Sequence, residues 1–164
     1  MKILYFGGQK SGKTALAIKK TLEVTKNKKP YYVATYLDNY NDSEMKIRIQ
    51  KHKLERRDDF ITIEEGLDLF SKMSENETYL IDCLSMWILN NIEKSEELLI
   101  LEIQKLLNSE NNIIFILNDV SSGIIPLDKI SRRFVDLTGI IGQEIAKGSN
   151  EVYQINYGIQ RRIK

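Results

Sequence analysis

The chain has 164 residues, 24 basic against 23 acidic, and a formal net charge of +1 at pH 7. This near balance lacks the basic excess of a general nucleic-acid binder. A single cysteine excludes an intramolecular disulfide and any multi-cysteine metal site. The length suits one domain, residues 1–164, with a sizeable core. The apolar run in MKILYFGG is too short for a signal peptide, and no later stretch approaches membrane-span length. A cytoplasmic location is therefore expected.

Ile3 to Phe6 is a short apolar run ended by Gly7-Gly8, the pattern of a buried strand and a tight turn. A helix-compatible stretch follows from Lys13 to Thr25. Pro30 leads into YYVAT, a second strand. After a polar loop, Ser43 can cap a helix over Glu44 to Arg57. FITIEE alternates as a strand does, and Gly66 to Met73 suggests a further helix. TYLID is a buried strand and CLSMWILNNI an apolar-rich helix. A charged amphipathic helix is expected from Glu96 to Leu107, and NNIIFIL is another strand, ending at Asn118-Asp119. Leu127 to Lys147 reads as mostly helical, and EVYQINYGIQRRIK as two short strands around Gly158. Strands alternating with helices predict an α/β fold with a mainly parallel sheet flanked by helices and a C-terminal edge hairpin.

Gly7, Gly8, Gln9, Lys10, Ser11, Gly12, Lys13 and Thr14 spell GGQKSGKT, which fits the phosphate-loop pattern G-x-x-x-x-G-K-[ST] between a strand and a helix. The glycines let backbone N–H groups wrap phosphates, and the helix N-terminus adds partial positive charge. Lys13 should reach the β- and γ-phosphates and Thr14 should bind Mg²⁺. Asp82, after the apolar run of YLIDC, is the candidate second Mg²⁺ ligand. Cys83 reads as a core thiol and Trp87 as packing.

Ligands of parallel α/β sheets bind outside the carboxyl ends of the strands. Those ends carry the phosphate loop, Ala34-Thr35, Asp82 and Asn118-Asp119, which can face one crevice. His52, the sole histidine, lies in RIQKHKLERR. On a helix, Arg48, His52 and Arg56 form one stripe, with Glu55 beside it. Neighbouring cations disfavour the imidazolium, so the ring should be neutral near pH 7. A neutral imidazole beside bound phosphates can be a nucleophile toward phosphorus; a histidine on a solvated helix surface is the competing reading.

Several blocks together resemble the bifunctional adenosylcobinamide kinase/adenosylcobinamide-phosphate guanylyltransferases of cobalamin biosynthesis. They are GGQKSGKT, YVAT, EMKIRIQKHKLERR, FITIE, LIDCLSMW, NDVSSGIIP and RRFVDLTG, in the family's order along nearly the whole chain. The resemblance implies a RecA-like P-loop fold and a two-step enzyme. It would phosphorylate adenosylcobinamide with ATP or GTP, then transfer GMP from GTP to adenosylcobinamide phosphate through a guanylylated His52. By the same match Ala34, Thr35, Tyr36, Lys53, Leu54, Glu55, Arg56, Glu64 and Asp82 fall in nucleotide-contacting segments. A homo-oligomer is implied, a trimer being known in the family. The chain departs from the family pattern at Arg57, Phe60, Asp119, Ser121 and Gly142, where the family has Pro, Trp, Glu, Gly and often Asn.

The alternative is another small-metabolite P-loop kinase, which would use Lys13, Thr14 and Asp82 but not His52. A GTP-dependent switch is a third class. DLTG at 136–139 fits D-x-x-G, but it lies in a helical segment far from the phosphate loop, and no N-K-x-D follows.

Overall fold

The structure is a computed structural model that describes residues 1–25, 28–37, 57–120, 123 and 125–164. Seven strands form one sheet: β1 (Lys2–Gly7), β2 (Tyr31–Ala34), β3 (Ile61–Glu64), β4 (Thr78–Asp82), β5 (Asn112–Asn118), β6 (Glu151–Asn156) and β7 (Ile159–Arg162). Their order is β3-β2-β4-β5-β1-β6-β7. Every pairing is parallel except β6 with β7, which is the expected hairpin at one edge.

The apolar runs decide which strands are central. KILYFG and NIIFILN are buried on both faces, and their strands pair in the middle of the sheet. Strands covered on both sides cannot alternate apolar with polar, because each side chain meets a helix layer. One face packs Ile3, Tyr5, Tyr32, Leu80, Ile114 and Ile116 against Ala17 of α1 (Lys13–Val24). The small side chain of Ala17 lets the helix approach closely. The other face packs Leu4, Val33, Ile81 and Phe115 against three helices. These are α2 (Leu84–Asn90), α3 (Glu96–Asn108) and α4 (Lys129–Gly148). Each fully buried Leu or Ile in this layer contributes roughly 1.5–3 kcal/mol relative to exposure.

Two helices begin where short polar residues can cap them. Ser95 accepts a hydrogen bond from the Leu98 N–H at 3.4 Å, and Asp128 accepts from the Ser131 N–H at 2.8 Å. The helix expected over 66–73 is replaced by a 3-10 turn, Phe70–Lys72. The cause lies in competing hydrogen bonds. The Glu65 carboxylate takes the N–H groups of Leu67 and Asp68, at 2.7 and 3.1 Å. Trp87 Nε1 donates to the Leu67 carbonyl at 3.1 Å, and Asn90 and Asn91 both donate to the Gly66 carbonyl at 3.2 Å. Backbone groups engaged in this way are lost to a helix. The helix expected over Glu44 to Arg57 lies outside the described residues except at Arg57, which opens a short 3-10 turn, Arg57–Asp59.

Candidate active site

The parallel strands β1 to β5 all point their carboxyl ends to one edge of the sheet. That edge carries Gly7, Ala34 with Thr35, Glu64, Asp82 and Asn118 with Asp119. Phosphate loop, acidic strand end and polar strand end therefore converge as the sequence led us to expect.

The loop is shaped by backbone demands at specific positions. Gly12 caps α1 in the left-handed region, at φ 94°. Lys10 is also left-handed, at φ 57°. Gly7 has no room for a side chain: a Cβ there would come within 2.2 Å of the Ile155 carbonyl oxygen on β6. The Asp119 N–H donates to the Gly7 carbonyl at 2.8 Å, tying the end of β5 to the start of the loop. The first helical residue is Lys13, which is buried, and its Nζ donates to the Gly8 carbonyl at 2.7 Å. A second, longer contact reaches Ser11 Oγ at 3.5 Å. Burial pulls the Lys13 ammonium below its ordinary pKa, opposed by attraction to Cys83, Asp82 and Asp119. Its charge sits inside the concave loop, where an incoming phosphate could exchange for the Gly8 carbonyl.

Thr14 and Asp82 meet across the gap between α1 and β4. Thr14 Oγ1 donates to Asp82 Oδ2 at 3.5 Å. Mg²⁺ takes oxygen ligands at about 2.0–2.1 Å in octahedral geometry, and commonly uses only one or two protein groups plus phosphates and water. Two neighbouring oxygens beside a phosphate loop fit that requirement. Among the described residues no group of three or more His, Cys, Asp and Glu side chains could hold a metal ion.

Sequence reasoning missed the residue that holds Asp82. Tyr32, buried on the neighbouring strand, donates its hydroxyl to Asp82 Oδ2. Its ring packs edge-on against Phe60 at 5.8 Å between centroids. The register pairs Tyr32 with Leu80 and Ala34 with Asp82, so Tyr32 and Asp82 share the α1 face. Period-two alternation could have found it once β2 was paired with β4.

Thr35 closes the next strand end. Its Oγ1 donates to the Cys83 carbonyl at 2.7 Å and accepts from the Cys83 N–H at 2.9 Å. Asn90 Nδ2 donates to the Thr35 carbonyl at 2.7 Å. Cys83 is partly buried, packed beside the core on the α1 face, and Asn118 Nδ2 donates to its Sγ at 3.7 Å. Burial pushes the thiol up to about 12, with the Asp82 charge adding to the shift. Trp87 is buried and serves packing. Ala34 and Tyr36 flank Thr35, and Glu64 ends the adjoining β3. His52, Lys53, Leu54, Glu55 and Arg56 lie outside the described residues.

The C-terminal hairpin also touches the loop. The Gly158 N–H donates to the Ser11 carbonyl at 2.8 Å. The strand run and glycine marked the hairpin, but nothing in the sequence alone marked its seat on the phosphate loop.

Two solved structures share the architecture. A Pyrococcus horikoshii OT3 protein designated PH0250 superposes over 99% of this chain and 85% of its own, with TM-score 0.53 and 11% identity. The flagellar accessory protein FlaH of Methanocaldococcus jannaschii superposes over 99% and 77%, with TM-score 0.51 and 14% identity. At such identities the likeness concerns the fold, which is the mainly parallel, helix-flanked P-loop type expected. Sequence relatives are nearer. The bifunctional adenosylcobalamin biosynthesis protein CobP of Pseudomonas aeruginosa is 32% identical over 164 residues, covering 93% of this chain and 91% of that protein. The corresponding CobU of Escherichia coli K12 is 27% identical over 186 residues, covering all of both. A family model described as cobinamide kinase / cobinamide phosphate guanyltransferase matches residues 3–163. With its phosphate loop, its Asp82 strand end and this match along almost its whole length, the chain belongs to the cobinamide kinase / cobinamide phosphate guanyltransferase family.

Proposed function

We infer that the chain is a bifunctional enzyme of cobalamin biosynthesis, an adenosylcobinamide kinase and adenosylcobinamide-phosphate guanylyltransferase. The observation that carries this reading is the convergence of Lys13, Thr14 and Asp82 at one sheet edge in a chain that matches the family over residues 3–163. One domain, residues 1–164, would carry both steps, and the bound nucleotides are ATP or GTP.

In the kinase step the substrate hydroxyl oxygen attacks the γ-phosphorus. The bond from that phosphorus to the β,γ-bridging oxygen breaks, the nucleoside diphosphate leaves and the hydroxyl proton is lost to solvent. The loop N–H groups and Lys13 hold the phosphates and offset the charge that develops on the leaving group. Mg²⁺ held by Thr14 and Asp82 would neutralise phosphate oxygens. Tyr32 fixes the Asp82 carboxylate for that purpose.

In the second step a ring nitrogen of His52 attacks the α-phosphorus of GTP and pyrophosphate leaves. The phosphoramidate is then opened by a phosphate oxygen of adenosylcobinamide phosphate, which restores the imidazole. Ala34, Thr35, Tyr36, Lys53, Leu54, Glu55, Arg56 and Glu64 would contact the nucleotide in this step. A homo-oligomer, as a trimer, and a cytoplasmic location belong to the same reading.

The test is a paired assay. Kinase activity is followed with adenosylcobinamide and labelled nucleotide, and guanylyl transfer with adenosylcobinamide phosphate and GTP. His52→Ala should keep the first and lose the second by at least a thousandfold, on the order expected when a covalent nucleophile is removed. A wild-type protein that phosphorylates adenosylcobinamide but never accepts GMP would support the plain kinase instead.

A further inference from the structure

The turn between β6 and β7 carries a residue that its geometry does not favour. Tyr157 and Gly158 are its two central residues, with φ of 51° and 79°, between the paired Asn156 and Ile159. Positive φ at both positions is the two-residue hairpin turn that prefers Asn, Asp or Gly. A bulky tyrosine in the left-handed region is disfavoured by contact between its Cβ and the backbone. Tyr157 is 98% exposed, and among the described residues no packing offsets that cost.

Its position gives the anomaly a meaning. The next residue, Gly158, donates its N–H to the Ser11 carbonyl, and a Cβ on Gly12 would lie 3.2 Å from Gly158 Cα. The turn is seated directly on the phosphate loop. Its flank is also the relevant one. In the order β3-β2-β4-β5-β1-β6-β7, Asp82 on β4 lies to one side of the loop and the hairpin to the other. A triphosphate whose γ-phosphate faces Thr14 and Asp82 must carry its ribose and base away from that side.

We propose that Tyr157 is a stacking platform for the base of the nucleotide that donates its γ-phosphate. This rests on the phosphate-loop reading above and extends it. Stacking on an aromatic ring tolerates any base, because every base has a π-face. ATP should therefore be accepted as readily as GTP in the kinase step. The opposite flank, with Ala34 to Tyr36 and Glu64, remains for the guanine whose α-phosphorus is attacked.

Calorimetry on the full chain decides the matter, using Mg²⁺ with α,β-methylene ATP and, separately, with inorganic tripolyphosphate. The analogue cannot be cleaved between its α- and β-phosphorus. Tyr157→Asn keeps a residue that the turn prefers and removes the ring; Tyr157→Phe keeps the ring. We expect Tyr157→Asn to weaken the ATP analogue on the order of tenfold, Tyr157→Phe to stay within about twofold, and both to bind tripolyphosphate like the wild type. Unchanged analogue affinity in Tyr157→Asn would overturn the platform. So would a parallel loss of tripolyphosphate, which would mean that the turn supports the loop rather than the base. A wild type that fails to bind tripolyphosphate, with no difference from Lys13→Ala, would remove the phosphate-loop reading itself and the platform with it.

Discussion

At the scale of single residues, the site is a few polar groups held by specific partners. The Gly8 carbonyl keeps the Lys13 ammonium in the loop, and burial lowers its pKa. Lys13→Ala should weaken both activities by at least tenfold, since both need the triphosphate held; unchanged kinase turnover would show the loop misassigned. Asp82 is held by Tyr32, so Tyr32→Phe should raise the Mg²⁺ concentration for half-maximal kinase rate several-fold while leaving the rate at saturating Mg²⁺ nearly intact. A magnesium titration of both proteins separates those quantities. Cys83 gives a pH prediction. Its thiol ionises near 9.0 when unfolded and near about 12 when folded, so its contribution is fully present below pH 9.0 and lost through that window. Between those limits stability should fall by about 1.4 kcal/mol per pH unit on this account, and the slope should shrink in Cys83→Ala when urea unfolding is followed from neutral to alkaline pH. Legibility differs sharply between these residues. The spacing of GGQKSGKT identifies Lys13 and Thr14 because phosphate chemistry demands that order. Tyr32 is invisible until strand pairing is known, because its partner is fifty positions away in the chain.

At the scale of elements, β1, the loop and α1 form a unit whose parts constrain one another. Gly7 is paired with Ile155 on β6, and no Cβ fits between them. Gly7→Ala must push β6 aside, at a cost in the range of about 1–3 kcal/mol for overpacking. Denaturant unfolding should register that loss together with weaker nucleotide binding; an unperturbed midpoint would mean the strands separate freely. Long periodic or fully apolar segments were legible: β1, β4, β5, α3 and α4 lie within a residue or two of their expected ranges. The segment 66–73 was not. Its apolar spacing suits a helix, but Glu65, Trp87, Asn90 and Asn91 occupy the backbone groups that a helix needs. Tertiary hydrogen bonds of that kind leave no local trace. The hairpin was legible from Gly158, whereas its bond to Ser11 joins residues 147 apart and was not.

At the scale of the whole molecule, sheet order does what no single motif does. Parallel strands bring Gly7, Ala34, Glu64, Asp82 and Asn118 to one edge, and the crossing of β1 to the middle puts Asp82 and the hairpin on opposite flanks of the loop. A ligand binding only the assembled edge should stabilise the fold by linkage. At about 100 times its Kd, a nucleotide adds about 2.7 kcal/mol, which for a chain of this size raises Tm by on the order of 5–10 °C; calorimetric scans with and without MgATP check it. The central claim is that the edge serves two transfers, the second through His52. The most direct measurement is incubation with Mg²⁺ and GTP labelled at the α-phosphorus, followed by denaturation. The account predicts label on the protein that is acid-labile and alkali-stable, as for a phosphoramidate, and none on His52→Ala. An unlabelled wild type, or label that persists in His52→Ala, would contradict it.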